Sequence, residues 1–129
     1  MFLTWADLRR ADLRGADLRG SILNSADLSM AWLHNSRLAG VPFAGARLCG
    51  AKLGGADLIG CDFSEADLRE VTGLTAEQLS GAAIDETTKL PEELATDPWV
   101  VTRIEFCRSW RDTHGPLPPP PPTPAPTAH

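Results

Sequence analysis

Large apolar residues recur along the chain with a period of five. Every fifth position from 3 to 68 holds leucine or phenylalanine, and no insertion interrupts the series. The residue two positions before each of them is alanine at most sites, and the position between the two is usually polar. A fixed period sustained over fourteen units, 1–70, predicts an architecture of stacked repeats.

Neither a helix nor a flat strand can bury side chains that repeat every five residues. Five residues on an α-helix advance by about 500°, so the leucines would spiral around its surface. On a strand, an odd period places successive leucines on opposite faces. We therefore expect a chain that turns regularly and presents each central side chain to one common axis.

The unit is clearest in residues 6–20, which read ADLRR, ADLRG and ADLRG, and it recurs in 56–60 and 66–70. This A-(D/N)-L-X-X pattern resembles the pentapeptide repeat family over residues 1–70. The resemblance implies an all-β solenoid, a right-handed quadrilateral β-helix with four units per coil and about 3.5 coils. It also implies that the central residue and the small residue two before it point inward. Glycines that end a unit suit tight turns with unusual backbone angles: Gly15, Gly20, Gly40, Gly45, Gly50, Gly55 and Gly60.

Outward-facing residues twenty apart should then stack into ladders, one on each face. The ladder that begins at Phe2 is apolar at its first three positions, and two tryptophans are expected near that end of the rod. An exposed apolar strip on a small protein tends to mark a contact surface. It could be covered by the chain's own C-terminal helix or by a partner or second subunit, or it could be exposed incidentally. The candidate interaction surface comprises Phe2, Trp5, Ile22, Trp32 and Pro42.

Residues 71–96 break the period and resemble the cap that follows many pentapeptide repeat rods. Thr75 and Gln78 have the spacing of a capping box and predict a short helix over about 76–83. Ile84 and Leu90 are expected to be further apolar anchors. The resemblance thus implies a small helical cap at the C-terminal end of the rod.

Residues 97–114 are predicted to form a second, amphipathic helix. Asp97 is its expected N-cap, and Pro98 stands at the first helical position. Val100, Ile104 and Cys107 fall on one apolar stripe, which three aromatic residues widen: Trp99, Phe106 and Trp110. Residues 115–129 are proline-rich and are expected to be a disordered polyproline II tail, for which a linker or extension is favoured over a docking motif.

The net charge of −5 is unevenly divided along the chain. Residues 1–70 carry nine acidic and eight basic side chains, which leaves −1, whereas 71–129 carry eight and four, which leaves −4. Arg9, Arg14 and Arg19 are expected to pair with the aspartate two positions earlier rather than to form a basic collar. The overall negative charge disfavours binding to nucleic acid.

Catalytic chemistry finds little support in the sequence. The three histidines are scattered, and the glycines follow the five-residue period rather than that of a phosphate-binding loop. We therefore expect no enzymatic activity, no cofactor, no metal site and no small-molecule substrate.

Three cysteines without pairing signals suggest a reducing, cytoplasmic location, with Cys61 in an inward position. No apolar stretch is long enough to span a membrane, and the repeat begins too early to leave room for a signal peptide.

The predicted function is that of a rigid scaffold or protein-interaction module with an unidentified protein partner or a second copy of the chain. The alternative implied by the resemblance is a DNA mimic that binds or protects DNA gyrase or topoisomerase, but this rod is short and almost neutral.

The first coil has no polar cap. Either the native start lies upstream of Met1, or another subunit covers Phe2, Leu3 and Trp5.

Overall fold

The computed structural model describes residues 2–114, so the predicted proline-rich tail lies outside the described residues. These residues include three helices, α1 (Ala76–Ser80), α2 (Glu92–Ala95) and α3 (Pro98–His114). Over residues 2–72 the backbone repeats one pattern, in which a bridging residue and a tight turn occur in every unit of five. Each side of the coil is so short that it contributes an isolated β-bridge instead of an extended strand.

Parallel bridges join outward residues that are twenty positions apart, which confirms the predicted ladders. Phe2 pairs with Ile22, and Asp12 pairs with Trp32. The spacing means that the chain completes one circuit in four units. Beyond the repeat, Asp62 bridges Ala83, so the segment that follows the last unit continues the stacking on that face.

A β-turn closes every unit. The carbonyl of each central residue accepts a hydrogen bond from the N–H three positions later, as from Ala11 to Leu8 at 3.1 Å. The residue that precedes the N–H donor has a positive φ in every unit. It is the third residue of the turn, so these are type II turns. The glycines predicted at these turns all have this backbone, but Trp5 (φ 66°) and Met30 (φ 63°) adopt it as well.

The lumen is filled from residue 21 onward with apolar side chains and the two small buried serines, Ser21 and Ser36. The central residues from Leu23 to Leu68 are almost inaccessible to solvent, and the rings of Phe43 and Phe63 stack at 5.2 Å. Cys61 is buried as predicted, and its thiol lies 2.9 Å from the carbonyl of Leu38. Burial raises the pKa of the Cys61 thiol to about 12, so this group is an inert part of the core.

The predicted capping box is present at α1. The N–H of Gln78 donates to the Thr75 hydroxyl, and the Thr75 N–H donates to the Gln78 side chain. The helix ends at Ser80, earlier than predicted, because the chain must turn to bring Ala83 onto its ladder. Ile84 is buried as an anchor of this region.

Helix α3 begins as predicted, since the Asp97 carboxylate accepts a hydrogen bond from the N–H of Trp99 at 2.8 Å. Val100 and Cys107 are buried, and α3 packs against α1 and α2. Helix α2, which the sequence analysis did not predict, begins after Pro91. Phe2 is 83% exposed, so α3, one of the three alternatives for covering the Phe2 ladder, does not cover this residue.

Candidate interaction surface

The first coil differs from all later coils because no coil lies on its outer side within residues 2–114. Its inward leucines are only half-buried: Leu3, Leu8, Leu13 and Leu18. The corresponding residue of the next coil, Leu23, is completely buried. Within residues 2–114, no further layer covers the apolar lumen at the N-terminal end of the rod.

Unpaired backbone groups surround this opening. In the second coil, the N–H of Asp27 donates to the carbonyl of Ala6 at 2.9 Å, and its carbonyl accepts from the N–H of Leu8 at 2.8 Å. The equivalent N–H and C=O groups of the first coil have no backbone partner among the described residues: Phe2, Asp7, Asp12 and Asp17. Within residues 2–114, each face of the rod thus begins at a β-edge whose backbone groups can pair with a further coil or with another chain.

Two large apolar side chains project beside this edge. Phe2 is 83% exposed and Trp5, at the adjacent corner, is 79% exposed. Ile22 stacks directly on Phe2, and Pro42 continues the same face, since its carbonyl accepts a hydrogen bond from Leu23 at 3.0 Å. The structure therefore brings four of the predicted surface residues together.

Trp32 does not join this surface. It lies ten residues beyond Ile22, which is half a circuit, and therefore stands on the opposite face of the rod. Its indole ring lies between two cations, with the Arg14 guanidinium 4.8 Å and the Lys52 ammonium 5.6 Å from the ring centroid. These cation–π contacts give Trp32 a local structural role, although its side chain is still 40% exposed. Trp32 is close to Phe2 in the sequence, but the face on which a residue lies is set by its position within the twenty-residue coil.

The profile of the family described as Pentapeptide repeats matches residues 3–40 and 43–72 with eight copies. The chain belongs to the pentapeptide repeat family. Its members form right-handed quadrilateral β-helices, in agreement with the ladders described above. Among curated proteins, none matches the chain significantly.

Several solved pentapeptide repeat proteins resemble the chain. Rfr23 from the cyanobacterium Cyanothece 51142 is 32% identical, with a TM-score of 0.59, over 65% of this chain and 56% of that one. The protein alr5209 from Nostoc PCC 7120 is 30% identical, with a TM-score of 0.43, over 70% of each chain. HetL from Nostoc sp. strain PCC 7120, described as involved in heterocyst differentiation regulation, is 27% identical, with a TM-score of 0.45, over 64% of this chain and 51% of that one. The chain thus spans little more than half the length of Rfr23.

Charged residues on the first coil of the pentapeptide rod neutralise each other. Asp7 pairs with Arg9 at 2.8 Å, and the two following units repeat this contact. The hydrogen bonds from Arg9 lower the pKa of Asp7 to about 2. These exposed pairs create no strong field of either sign around the opening, so the apolar groups dominate its chemistry.

Two shallow depressions lie elsewhere on the pentapeptide repeat protein. One, of about 490 Å³, is bordered by surface residues of the first two coils, Asp7, Arg9, Arg10, Ser29 and Met30. The other, of about 390 Å³, lies between the last unit and α2. In the part of the chain that is described, no group of three or more His, Cys, Asp or Glu could hold a metal ion. No helix over residues 2–114 is both long and apolar enough to cross a membrane.

A second exposed apolar surface lies on α3. Trp99 and Phe106 are 38% and 43% exposed. The sequence pattern predicts both residues on the apolar side of the helix. That side instead buries Arg103, whose Nε–H donates to the carbonyl of Ala82 at 2.8 Å. No local signal in the sequence predicts the burial of Arg103, because an arginine is buried only where tertiary packing supplies an acceptor.

Proposed function

We propose that this pentapeptide repeat protein is a non-catalytic scaffold that binds a protein at the N-terminal end of its rod. The contact surface consists of the open first coil together with the exposed face of Phe2, Trp5, Ile22 and Pro42, here called the open end. The rod has about 3.5 coils and is closed at the other end by the cap of residues 71–96. The observation that carries the proposal is the unpaired β-edge around a half-buried leucine lumen.

A protein is the partner that suits this combination of groups. The backbone donors and acceptors at the four faces can be satisfied by the backbone of another chain through strand addition. The apolar side chains at the same end gain free energy when they are removed from water, about 25 cal/mol per Å². A second copy of the chain or another protein with an exposed coil offers both kinds of contact.

A catalytic role is not part of the proposal, because the positions that point to the axis are taken up by packed apolar residues. The depressions on the surface are lined by side chains that contact solvent, so they do not exclude water from a reacting group. A reducing, cytoplasmic compartment suits the proposal, since Cys49, Cys61 and Cys107 are free thiols.

DNA mimicry is the less favoured alternative. A mimic needs a dense negative field along its length. On this rod, four aspartates are paired with the arginine two positions later, from Asp7 with Arg9 to Asp67 with Arg69. A supercoiling assay with DNA gyrase tests the alternative directly, and we expect no inhibition at micromolar protein.

The proposal is tested by a double variant of the open end, Phe2→Ser with Trp5→Ser. Both side chains are exposed, so the rod should remain folded. Light scattering and affinity capture should show that the unmodified protein self-associates or retains a protein partner and that the double variant does not. Ile59→Ser is the matched control, because Ile59 is 52% exposed but lies on a later coil.

The proposal is contradicted if the unmodified protein is an isolated monomer in both assays. It is also contradicted if the Ile59 control loses association to the same extent as the double variant, because the open end would then have no special role.

A further inference from the structure

Helix α3 presents an aromatic stripe to solvent, defined as Trp99, Phe106 and Trp110. The residues are spaced seven and four positions apart, so at 100° per residue they lie within about 40° of one another around the helix. Trp99 and Phe106 are more than one-third exposed, whereas Val100 and Cys107, about a quarter-turn away, are buried against the cap. The stripe is therefore separate from the face that fixes α3 to the protein.

The stripe is held in one orientation by its neighbours. Arg103 is buried and donates to the carbonyl of Ala82, and its guanidinium carbon lies 5.3 Å from the centroid of the Phe106 ring. The rings of Phe106 and Trp110 lie 6.1 Å apart at an angle of 31°. The cap thus positions a row of tilted aromatic rings before anything binds to them, which reduces the entropy lost on binding.

The chain that follows α3 has the composition that such a surface binds. Residues 116–122 read PLPPPPP and carry no charge. Proline-rich segments favour the polyproline II conformation and dock on grooves lined by aromatic rings. Gly115 stands between the helix and this segment, where its backbone freedom permits a reversal of direction.

The lengths of the two segments also match. Trp99 and Trp110 are eleven residues apart, or about 16 Å along an α-helix. A polyproline II segment rises about 3.1 Å per residue, so five or six residues cover that distance. Because α3 continues to His114, the segment must run about 22 Å from the helix end to reach Trp99, and the seven residues of 116–122 just span that distance.

We propose that residues 116–122 fold back along α3 and pack on the aromatic stripe of the same chain. The connection through Gly115 gives the segment an effective concentration in the millimolar range, so a weak contact is sufficient. The tail then occupies a surface that a proline-rich peptide from another protein could otherwise use. This inference is independent of the open end and of any partner bound there.

The test compares the full chain with a chain that ends at Gly115, by NMR of the four indole N–H groups. Removal of the tail should shift the resonances of Trp99 and Trp110 and leave those of Trp5 and Trp32 unchanged. A full-length variant with serine at 118–122 should give the same shifts as the deletion. A synthetic peptide of residues 115–129, added to the shortened chain at millimolar concentration, should restore the original positions.

Two exposed positions on α3 provide a matched pair of variants. In the full-length chain, Phe106→Ser should make the resonances of Trp99 and Trp110 insensitive to the serine replacement at 118–122. Val101→Ser should preserve that sensitivity, because Val101 is 39% exposed but lies outside the stripe.

The proposal is overturned if all four indole resonances coincide in the full and shortened chains. It is also overturned if the shifts disappear on dilution, because the stripe would then bind the tail of a second copy.

Discussion

The two ends of the rod are built from the same five-residue unit, yet they bury their leucines to different extents. At the N-terminal end, Leu8 and Leu13 are partly exposed. Near the C-terminal end, Leu53 and Leu68 are fully buried. The unit alone therefore does not determine burial, because each leucine also depends on the layer that lies above it.

The C-terminal end is covered by residues that no longer follow the period. On two faces, the N–H groups of Ala83 and Lys89 continue the ladder beyond the last unit. On a third face, the carbonyl of Ala56 accepts a hydrogen bond from the side chain of Gln78 at 3.0 Å, in place of a backbone N–H from a further coil. The N-terminal end has no such substitutes within the described residues, which is the difference on which the proposed binding surface rests.

The largest expected difference between the ends concerns their leucines. Leu38→Ala should lower the free energy of unfolding by about 2–5 kcal/mol, because it leaves a cavity in a closed layer. Leu13→Ala should lower it by about 1 kcal/mol, since that side chain is already partly exposed. Chemical denaturation of both variants measures the difference. Equal losses would mean that the first coil is covered in solution.

A second contrast concerns two glycines with positive φ. A Cβ at Gly15 would meet nothing within 4 Å, whereas one at Gly73 would lie 2.7 Å from the backbone nitrogen of Gly54. Gly15→Ala should therefore cost only the backbone strain of about 1–2 kcal/mol. Gly73→Ala adds a steric clash and should cost about 2–4 kcal/mol. Thermal unfolding of the two variants checks the order, and a greater loss for the Gly15 variant would refute it.

The contribution of the cap hydrogen bonds can be measured at Gln78. Its amide donates to the carbonyls of Leu53 and Ala56, so Gln78→Ala should lower the free energy of unfolding by about 1–3 kcal/mol. Glu77→Ala is the control, because this neighbouring side chain is exposed. If both variants unfold at the same denaturant concentration, Gln78 does not close the end of the rod in the way described.

The smallest expected effect is the pH dependence of the ion pair on the first coil. The pKa of Asp7 is about 2 in the folded protein, against 3.8 in the unfolded chain. The pair therefore favours the folded state above pH 3.8, and this contribution is lost as the pH falls towards 2. In an NMR titration, Arg9→Ala should raise the midpoint of the Asp7 carboxyl, whereas the neighbouring Arg10→Ala should not. An Asp7 midpoint that Arg9→Ala leaves unchanged would exclude the pair in solution.

The repeat and its ladders could be predicted from the sequence because one local signal recurs in every unit. The capping box at Thr75 could be predicted for the same reason, since its two residues are three positions apart. The burial of Arg103 could not, because it depends on a carbonyl that lies 21 positions away in the chain. For the candidate surface, closeness in sequence groups Trp32 with Phe2, although the two residues lie on opposite faces of the rod.

Amide hydrogen exchange of the isolated monomer tests the difference between the two ends most directly. The N–H groups of Asp7, Asp12 and Asp17 should exchange rapidly, because they have no backbone partner in the described chain. Those of the next coil, Asp27, Trp32 and Arg37, should exchange slowly, since each donates to the coil before it. Equal protection of the two sets in the monomer would contradict an open N-terminal end.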